Sequence, residues 1–154
     1  MWRAIKYGVL GLVLTLAGMA AYGQVKPRFF PVTPPPMLPV EQRADAIFVD
    51  KSDRVLQLLR DDVVIRKYRI ALSRNPLGHK TQEGDYSTPV GTYDIDWRNA
   101  RSMAHLSLHI SYPNADDRAA AQARGVSPGG DIMIHGFLNG WGPFDFLTRY
   151  WDWT

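Results

Sequence analysis

Residues 46–72 read AIFVDKSDRVLQLLRDDVVIRKYRIAL, and the fold class turns on them. Ala46–Asp50 is a short apolar run closed by the polar turn Lys51-Ser52-Asp53. Val55–Leu59 follows, then Asp61-Asp62 as a second turn, then Val63–Leu72. In the last run Val63, Ile65, Tyr68, Ile70 and Leu72 mostly alternate, and β-branched and aromatic residues are enriched, as a half-buried strand requires. The pattern predicts three strands joined by tight turns. Such a meander has low contact order and should form early.

C-terminal to it, Ser73–Pro89 is rich in Gly, Asn, Pro and Asp, and it is long for a loop with no task. Gly91–Trp97, His105–Tyr112 (HLSLHISY) and Asp131–His135 (DIMIH) read as further strands. Asn114–Arg124, NADDRAAAQAR, is the clear soluble helix. Asn114 can cap it, Asp116 and Asp117 suit the positive end of its dipole, alanines fill it and Gly125 ends it. The expected fold class is α+β and β-rich, with one short soluble helix.

N-terminal to the meander the chemistry changes. Met1–Tyr7 carries two positive charges, and the apolar run GVLGLVLTLAGMAA occupies residues 8–21. Its 14 residues suit a signal-peptide core better than a membrane span of about 20. Ala21-Tyr22-Gly23 offers small residues at the two positions a signal peptidase reads. Counted through Val25, the same stretch could serve as an uncleaved anchor, and both readings stay open. Lys26–Pro39, KPRFFPVTPPPMLP, holds six prolines in 14 residues. It is expected to avoid helix and to form a semi-rigid spacer. The expected organisation is a signal or anchor over 1–25, a linker over 26–43 and a domain over 44–154, facing the envelope of a bacterium.

The 154 residues suffice for one domain, and their 45% apolar and 21% charged content excludes fibrous and wholly disordered classes. The net charge of +3 is uneven. Residues 1–40 hold Arg3, Lys6, Lys26 and Arg28 with no acid, whereas the other 114 carry 14 basic and 15 acidic side chains. The domain therefore has no charge excess to attract nucleic acid. With no cysteine among the 154 residues, disulfides, thiolate metal sites and a cysteine nucleophile are excluded within them.

His135 ends the apolar strand DIMI and precedes Gly136. A histidine at a strand mouth, with a small neighbour that lets a substrate approach, is well placed as a base. Asp131 lies four residues earlier, roughly 13 Å away along an extended strand, so a backbone carbonyl is the better candidate to orient the ring. His105 and His109 have the spacing of a helical zinc pair, but the alternation Leu106, Leu108, Ile110 says strand and sets His105, Ser107 and His109 on the opposite face. No metal or cofactor is expected. Ser127-Pro128-Gly129-Gly130 is a tight turn whose amides could hold a carboxylate. Gly84, Asp85, Pro89 and Gly91 have a complete structural reading, with positive φ at the glycines and an Asx turn at Asp85. The aromatic tail of Trp141, Phe144, Phe146, Tyr150, Trp151 and Trp153 reads as packing, with glycan stacking as the alternative.

Five segments in this order resemble the L,D-transpeptidase catalytic domain of the YkuD type, most of all its YafK-like murein branch. They are Gly78-His-Lys80; Gly84-Asp85 with Thr88-Pro89-x-Gly91-x-Tyr93; His105–Ala115; Gly125-x-Ser-Pro-Gly-Gly-Asp-Ile-Met-Ile-His-Gly136; and Asp152-Trp153-Thr154. The resemblance implies a β-sandwich-like fold with a groove over a sheet, and a cysteine nucleophile paired with His135 beside Gly136. It implies acyl transfer on peptidoglycan stem peptides through a thioester, released to an amine, such as one on an envelope protein, or to water. His109, Ser111 and Tyr112 are then candidates for the groove wall, Ser127, Gly129 and Gly130 for a stem-peptide carboxylate, and Asp152, Trp153 and Thr154 for the substrate side of the nucleophile. The family pattern supplies its Gly-Cys just after Asp-Trp-Thr. The 154 residues as written are therefore expected to be inactive and marginally stable, as a truncated frame or, failing that, as a binding-only relative.

Overall fold

The structure is a computed structural model and describes residues 2–30, 33–141 and 152. Its elements run α1 (Trp2–Phe29), a single 3-10 turn (Val40–Gln42), β1 (Ala46–Asp50), β2 (Val55–Arg60), β3 (Val63–Arg69), β4 (Ile95–Asn99), β5 (Ser107–Ile110), α2 (Ala115–Ala123) and β6 (Met133–His135). The strands form two three-stranded sheets, ordered β1-β2-β3 and β4-β5-β6. The protein is thus β-rich α+β, with one short soluble helix following an N-terminal apolar one.

The meander forms as its turns dictate. β1 pairs antiparallel with β2 from Ala46↔Leu59 to Asp50↔Val55, and β2 with β3 from Val55↔Arg69 to Arg60↔Val63. In the first turn Asp50 Oδ1 accepts the Ser52 hydroxyl at 2.8 Å and the Asp53 N–H at 3.0 Å. In the second, Asp61 and Asp62 have φ of 48° and 60°, the left-handed pair that a two-residue hairpin turn needs. The register shifts between Leu58↔Arg66 and Leu59↔Val64, so Ile65 is the extra residue. That bulge explains why the apolar alternation changes parity between Ile65 and Tyr68.

Helix α2 has a complete capping box. The Asn114 side chain accepts the Asp117 N–H at 3.0 Å, and the Asp117 carboxylate accepts the Asn114 N–H at 2.9 Å. Gly125, at φ 67°, follows its C-terminus. Helix α1 is long and apolar enough over Trp2–Pro27 to cross a membrane. It runs to Phe29, beyond the point where Pro27 was expected to stop it. Proline gives up its own N–H and crowds the carbonyl four residues before it, but few helical residues follow Pro27, and the turn closes with Phe30 N donating to Lys26 O at 2.8 Å.

Three strands are shorter than their apolar runs. His105 has φ 61°, so β5 starts at Ser107; Asp131 has φ 53°, so β6 spans only Met133–His135. Gly91 has φ 149°, a Cβ there would lie 3.2 Å from the Tyr93 ring hydroxyl, and β4 starts only at Ile95. A left-handed residue turns the chain out of the pleat. His105 therefore does not share the strand face of Ser107 and His109, and the in-strand spacing from Asp131 to His135 does not apply.

The described residues divide into two compact units, one drawn from 1–34, 96–109 and 133–145, the other from 35–95, 110–132 and 146–154. In the first, Ala104 is buried. In the second, Leu56, Leu72, Tyr112 and Ala121 are buried, with Ala121 wholly enclosed.

Candidate active site

His135 ends β6, opposite Ser107 of β5, with Ile134 opposite Leu108 and Met133 opposite His109. Its ring Nδ1 lies 2.8 Å from the Gly136 carbonyl oxygen. A carbonyl only accepts, so Nδ1 carries the proton and Nε2 is the basic nitrogen of the neutral ring. This is the tautomer a general base needs, set by backbone. Gly136 also stands at a close packing contact. A Cβ there would sit 3.2 Å from His105 Cβ and 3.4 Å from Ala104 O, while Gly136 N donates to Ala104 O at 3.1 Å.

His109 stands on the same face of this sheet as His135, one diagonal step away in register. Its Nδ1 is 2.5 Å from Asp96 Oδ1, and the Trp97 ring stacks on the imidazole at 5.1 Å and 21°. The carboxylate fixes the tautomer, the indole fixes the ring plane, and Nε2 makes no hydrogen bond among the described residues. Asp96 and Trp97 escaped sequence reading because they sit 13 and 12 positions from His109 and meet it only across strands. An acid paired with a histidine on an adjacent predicted strand was the available signal.

The other candidates belong to the second unit. Ser111 exchanges bonds with Asp94, its N–H reaching Asp94 O and its hydroxyl accepting Asp94 N, both at 2.9 Å. Tyr112 is buried, and its hydroxyl donates to Pro128 O at 3.1 Å. Burial first, then the negative charges of Asp117 and Asp85, push that phenol up. Ser127 Oγ accepts the Gly129 N–H at 3.2 Å, closing the expected tight turn, and Ser127 O accepts Glu83 N at 2.8 Å. Gly129, at φ 74°, would put a Cβ 3.2 Å from Glu83 Cα, whereas a Cβ on Gly130 would meet nothing within 4 Å. Gly130 is thus the open position of the pair. Asp152 is held by Arg54, with Nη2 at 2.6 Å and Nε at 3.2 Å, and by Leu72 N at 2.9 Å. The Arg54 bonds hold its carboxyl below the usual range against the opposing effect of burial, and the Leu72 N–H adds to them. Trp153, Thr154 and the aromatic tail beyond Trp141 lie outside the described residues.

A polar cluster around the buried Asp117 in the second unit was not foreseen. Asp117 accepts from His79 Nε2 and from the Tyr93 hydroxyl, each at 3.1 Å. His79 Nδ1 in turn accepts the Val90 N–H at 2.9 Å. Burial, and then the Asp117 carboxylate, push the Tyr93 phenol well up. Beside it Asp85 accepts Thr81 N at 2.7 Å, Gln82 N and Ser87 N at 3.0 Å, and Lys80 Nζ at 2.9 Å. Burial alone would raise the Asp85 carboxyl, but those donors together hold it far below the usual range. These residues organise the long loop predicted to have a task.

The L,D-transpeptidase catalytic domain family matches residues 44–151. Among curated proteins, YafK of Escherichia coli K12, itself provisionally named an L,D-transpeptidase, is 29% identical over 96 residues. YafK of Escherichia coli O157:H7 matches equally. The match covers 58% of this chain and 37% of each relative, so the chain spans little more than a third of the length of these relatives. No solved structure matches. The family match covers more than half of the chain and includes the His135-Gly136 and His109 segments, and on that ground the chain belongs to the L,D-transpeptidase catalytic domain family.

Proposed function

We propose that this chain is the histidine-bearing part of a peptidoglycan L,D-transpeptidase, with residues 44–154 as its domain, 26–43 as spacer and the N-terminal helix as its attachment to the export route or the membrane. The observation that carries the reading is the Nδ1 bond of His135 to Gly136 O, which sets the tautomer whose basic nitrogen is Nε2. In the proposed reaction His135 takes a proton from a thiol, and a nearby imidazolium keeps thiolate available below the ordinary thiol pKa of about 8.5. The thiolate attacks the stem-peptide carbonyl, the amine leaves with a proton from His135, and an acceptor amine, such as one on an envelope protein, resolves the thioester. The acyl donor is the peptidoglycan stem peptide. Gly130, with open space at its Cα, and the Ser127-Gly129 turn suit its carboxylate. In the other unit, the Asp96-held His109 suits a polar ligand group near His135.

The 154 residues hold no cysteine, so alone they bind without forming a thioester. Incubation with labelled muropeptides should give reversible binding and no covalent adduct. The same chain carrying the cysteine that the family pattern places after Thr154 should form an adduct detectable by mass, and His135→Ala should slow acylation at least about 100-fold. Undiminished acylation in that variant sinks the assignment of His135. A hydrolase on the same scaffold is the second reading, since water can take the place of the amine. Released, shortened stems instead of dimers identify it. Specific binding with no adduct even when the cysteine is present identifies a non-catalytic peptidoglycan-binding module.

A further inference from the structure

We infer that the N-terminal helix is retained as part of the folded protein, its last turns docked on the loop after the His135 strand, and that Ala21-Tyr22-Gly23 is a packing site rather than a processing site. Helix α1 contains four glycines. A Cβ on Gly8, Gly11 or Gly18 would meet nothing within 4 Å. A Cβ on Gly23 would lie 2.5 Å from Gly140 Cα and 2.6 Å from the Asn139 carbonyl. Gly140 reciprocates, because its Cβ would fall 2.9 Å from Met19 O and 3.1 Å from Gly23 Cα, and its φ of 83° favours glycine independently. The two backbones can approach this closely because neither residue has a side chain.

A polar tie accompanies the contact. Gln24 Nε2 donates to Asn139 O at 3.3 Å. Asn139 then spends its remaining groups on the segment before β5: its N–H on Met103 O at 2.9 Å, its Nδ2 on Ser102 O at 2.8 Å, and its Oδ1 on His105 N at 3.1 Å. One residue thus joins the helix, the 102–105 segment and the loop that starts at Gly136. Residues 21–23 are continuous α-helix and Gly23 is buried. Proteolysis concentrates at exposed, irregular segments, so the helical backbone here and the burial of Gly23 both oppose cleavage, although the Tyr22 side chain is exposed. The remainder of α1 presents exposed apolar side chains along a stretch long enough to cross a bilayer. A retained α1 would serve as an anchor whose exit turn braces the loop carrying the His135 carbonyl partner. This inference does not depend on the transpeptidase reading.

Two measurements test it. The full chain, exported in a Gram-negative host and recovered from membranes, should have its intact mass of 17.4 kDa; a species beginning at Gln24 overturns the inference. Docking can then be read with thiols, because the chain has no cysteine of its own. Val25 and Met103 line one cavity of about 450 Å3 with Gln24 and Arg101. Val25→Cys with Met103→Cys should be bridged within the chain by a short bismaleimide, and Val9→Cys with Met103→Cys should not. Gly23→Leu added to the first pair should cut bridging at least tenfold, while Gly8→Leu should leave it unchanged. Where the leucine variant fails to accumulate, Gly23→Ala replaces it with the same expected loss. Equal bridging in the Gly8 and Gly23 variants, or in the two thiol pairs, overturns the docking.

Discussion

Among the described residues two histidine–carboxylate pairs stand out, and they differ in what they leave available. His79 has both ring nitrogens committed, Nδ1 to the Val90 N–H and Nε2 to a buried Asp117. His109 has one, Nδ1, held by a half-exposed Asp96, while its ring lies under Trp97. The first imidazole is a cross-brace: it ties the exposed Val90 N–H to the buried Asp117 carboxylate, and both of its nitrogens are spent on the fold. The second is a presented ring in a narrower sense: tautomer and plane are fixed and Nε2 makes no hydrogen bond among the described residues, while the side chain is only 13% exposed. Residue type and a carboxylate neighbour do not distinguish the two, whereas the count of engaged nitrogens does.

The largest expected effect breaks the comparison at its buried end. Asp117→Ala strips acceptors from His79, Tyr93 and the Asn114 cap, and unfolding by urea should show a loss of about 3–5 kcal/mol. Asp96→Ala should cost only about 0–1 kcal/mol, since its carboxylate is half-exposed and solvent screens the pair. Similar losses in the two variants would erase the distinction between brace and presented ring.

Acid titration sharpens the same contrast. The folded Asp85 carboxyl lies below its unfolded value of about 3.9, so its contribution is fully present above that pH and is lost as pH falls below it. Asp152, lowered by Arg54, acts in the same direction. Stability of the intact chain, followed by circular dichroism, should therefore be flat from neutrality to roughly pH 5 and fall steeply below pH 4. Asp85→Asn should flatten that fall at the expense of stability at pH 7.

The smallest effect tests the presented ring itself. His109→Ala should weaken stem-peptide binding by about tenfold, or ~1.4 kcal/mol, while the unfolding midpoint barely moves. His79→Ala should do the reverse, shifting the midpoint and leaving the affinity of the remaining folded protein near normal. Calorimetry on the two variants separates them.

What sequence reading reached follows from how local each feature is. The meander was legible because Asp50-Ser52-Asp53 and Asp61-Asp62 are turns made by adjacent side chains and backbone. Helix α2 was legible through Asn114 and Gly125, one at each end. The strand ends at His105 and Asp131 were not, because a positive φ at a residue other than glycine leaves no trace in composition. The Asp117 cluster draws on residues 79, 90, 93 and 114, and the Asp96–His109–Trp97 group forms only across paired strands. Of the candidate residues, His135 had the clearest sequence signal, a histidine followed by glycine at the end of an apolar strand. Its carbonyl partner turned out to be the very next residue.

The bulged strand β3 has one more consequence. It is the border of its sheet, every residue from Val63 to Arg69 is exposed, and Val63, Val64, Ile65 and Tyr68 share it with Arg66, Lys67 and Arg69. An open border with that apolar content invites a second molecule to add a strand, and three cations within four positions make such self-addition repulsive. Colloidal behaviour should accordingly follow ionic strength: salt that screens Arg66, Lys67 and Arg69 would remove the guard while leaving the fold intact.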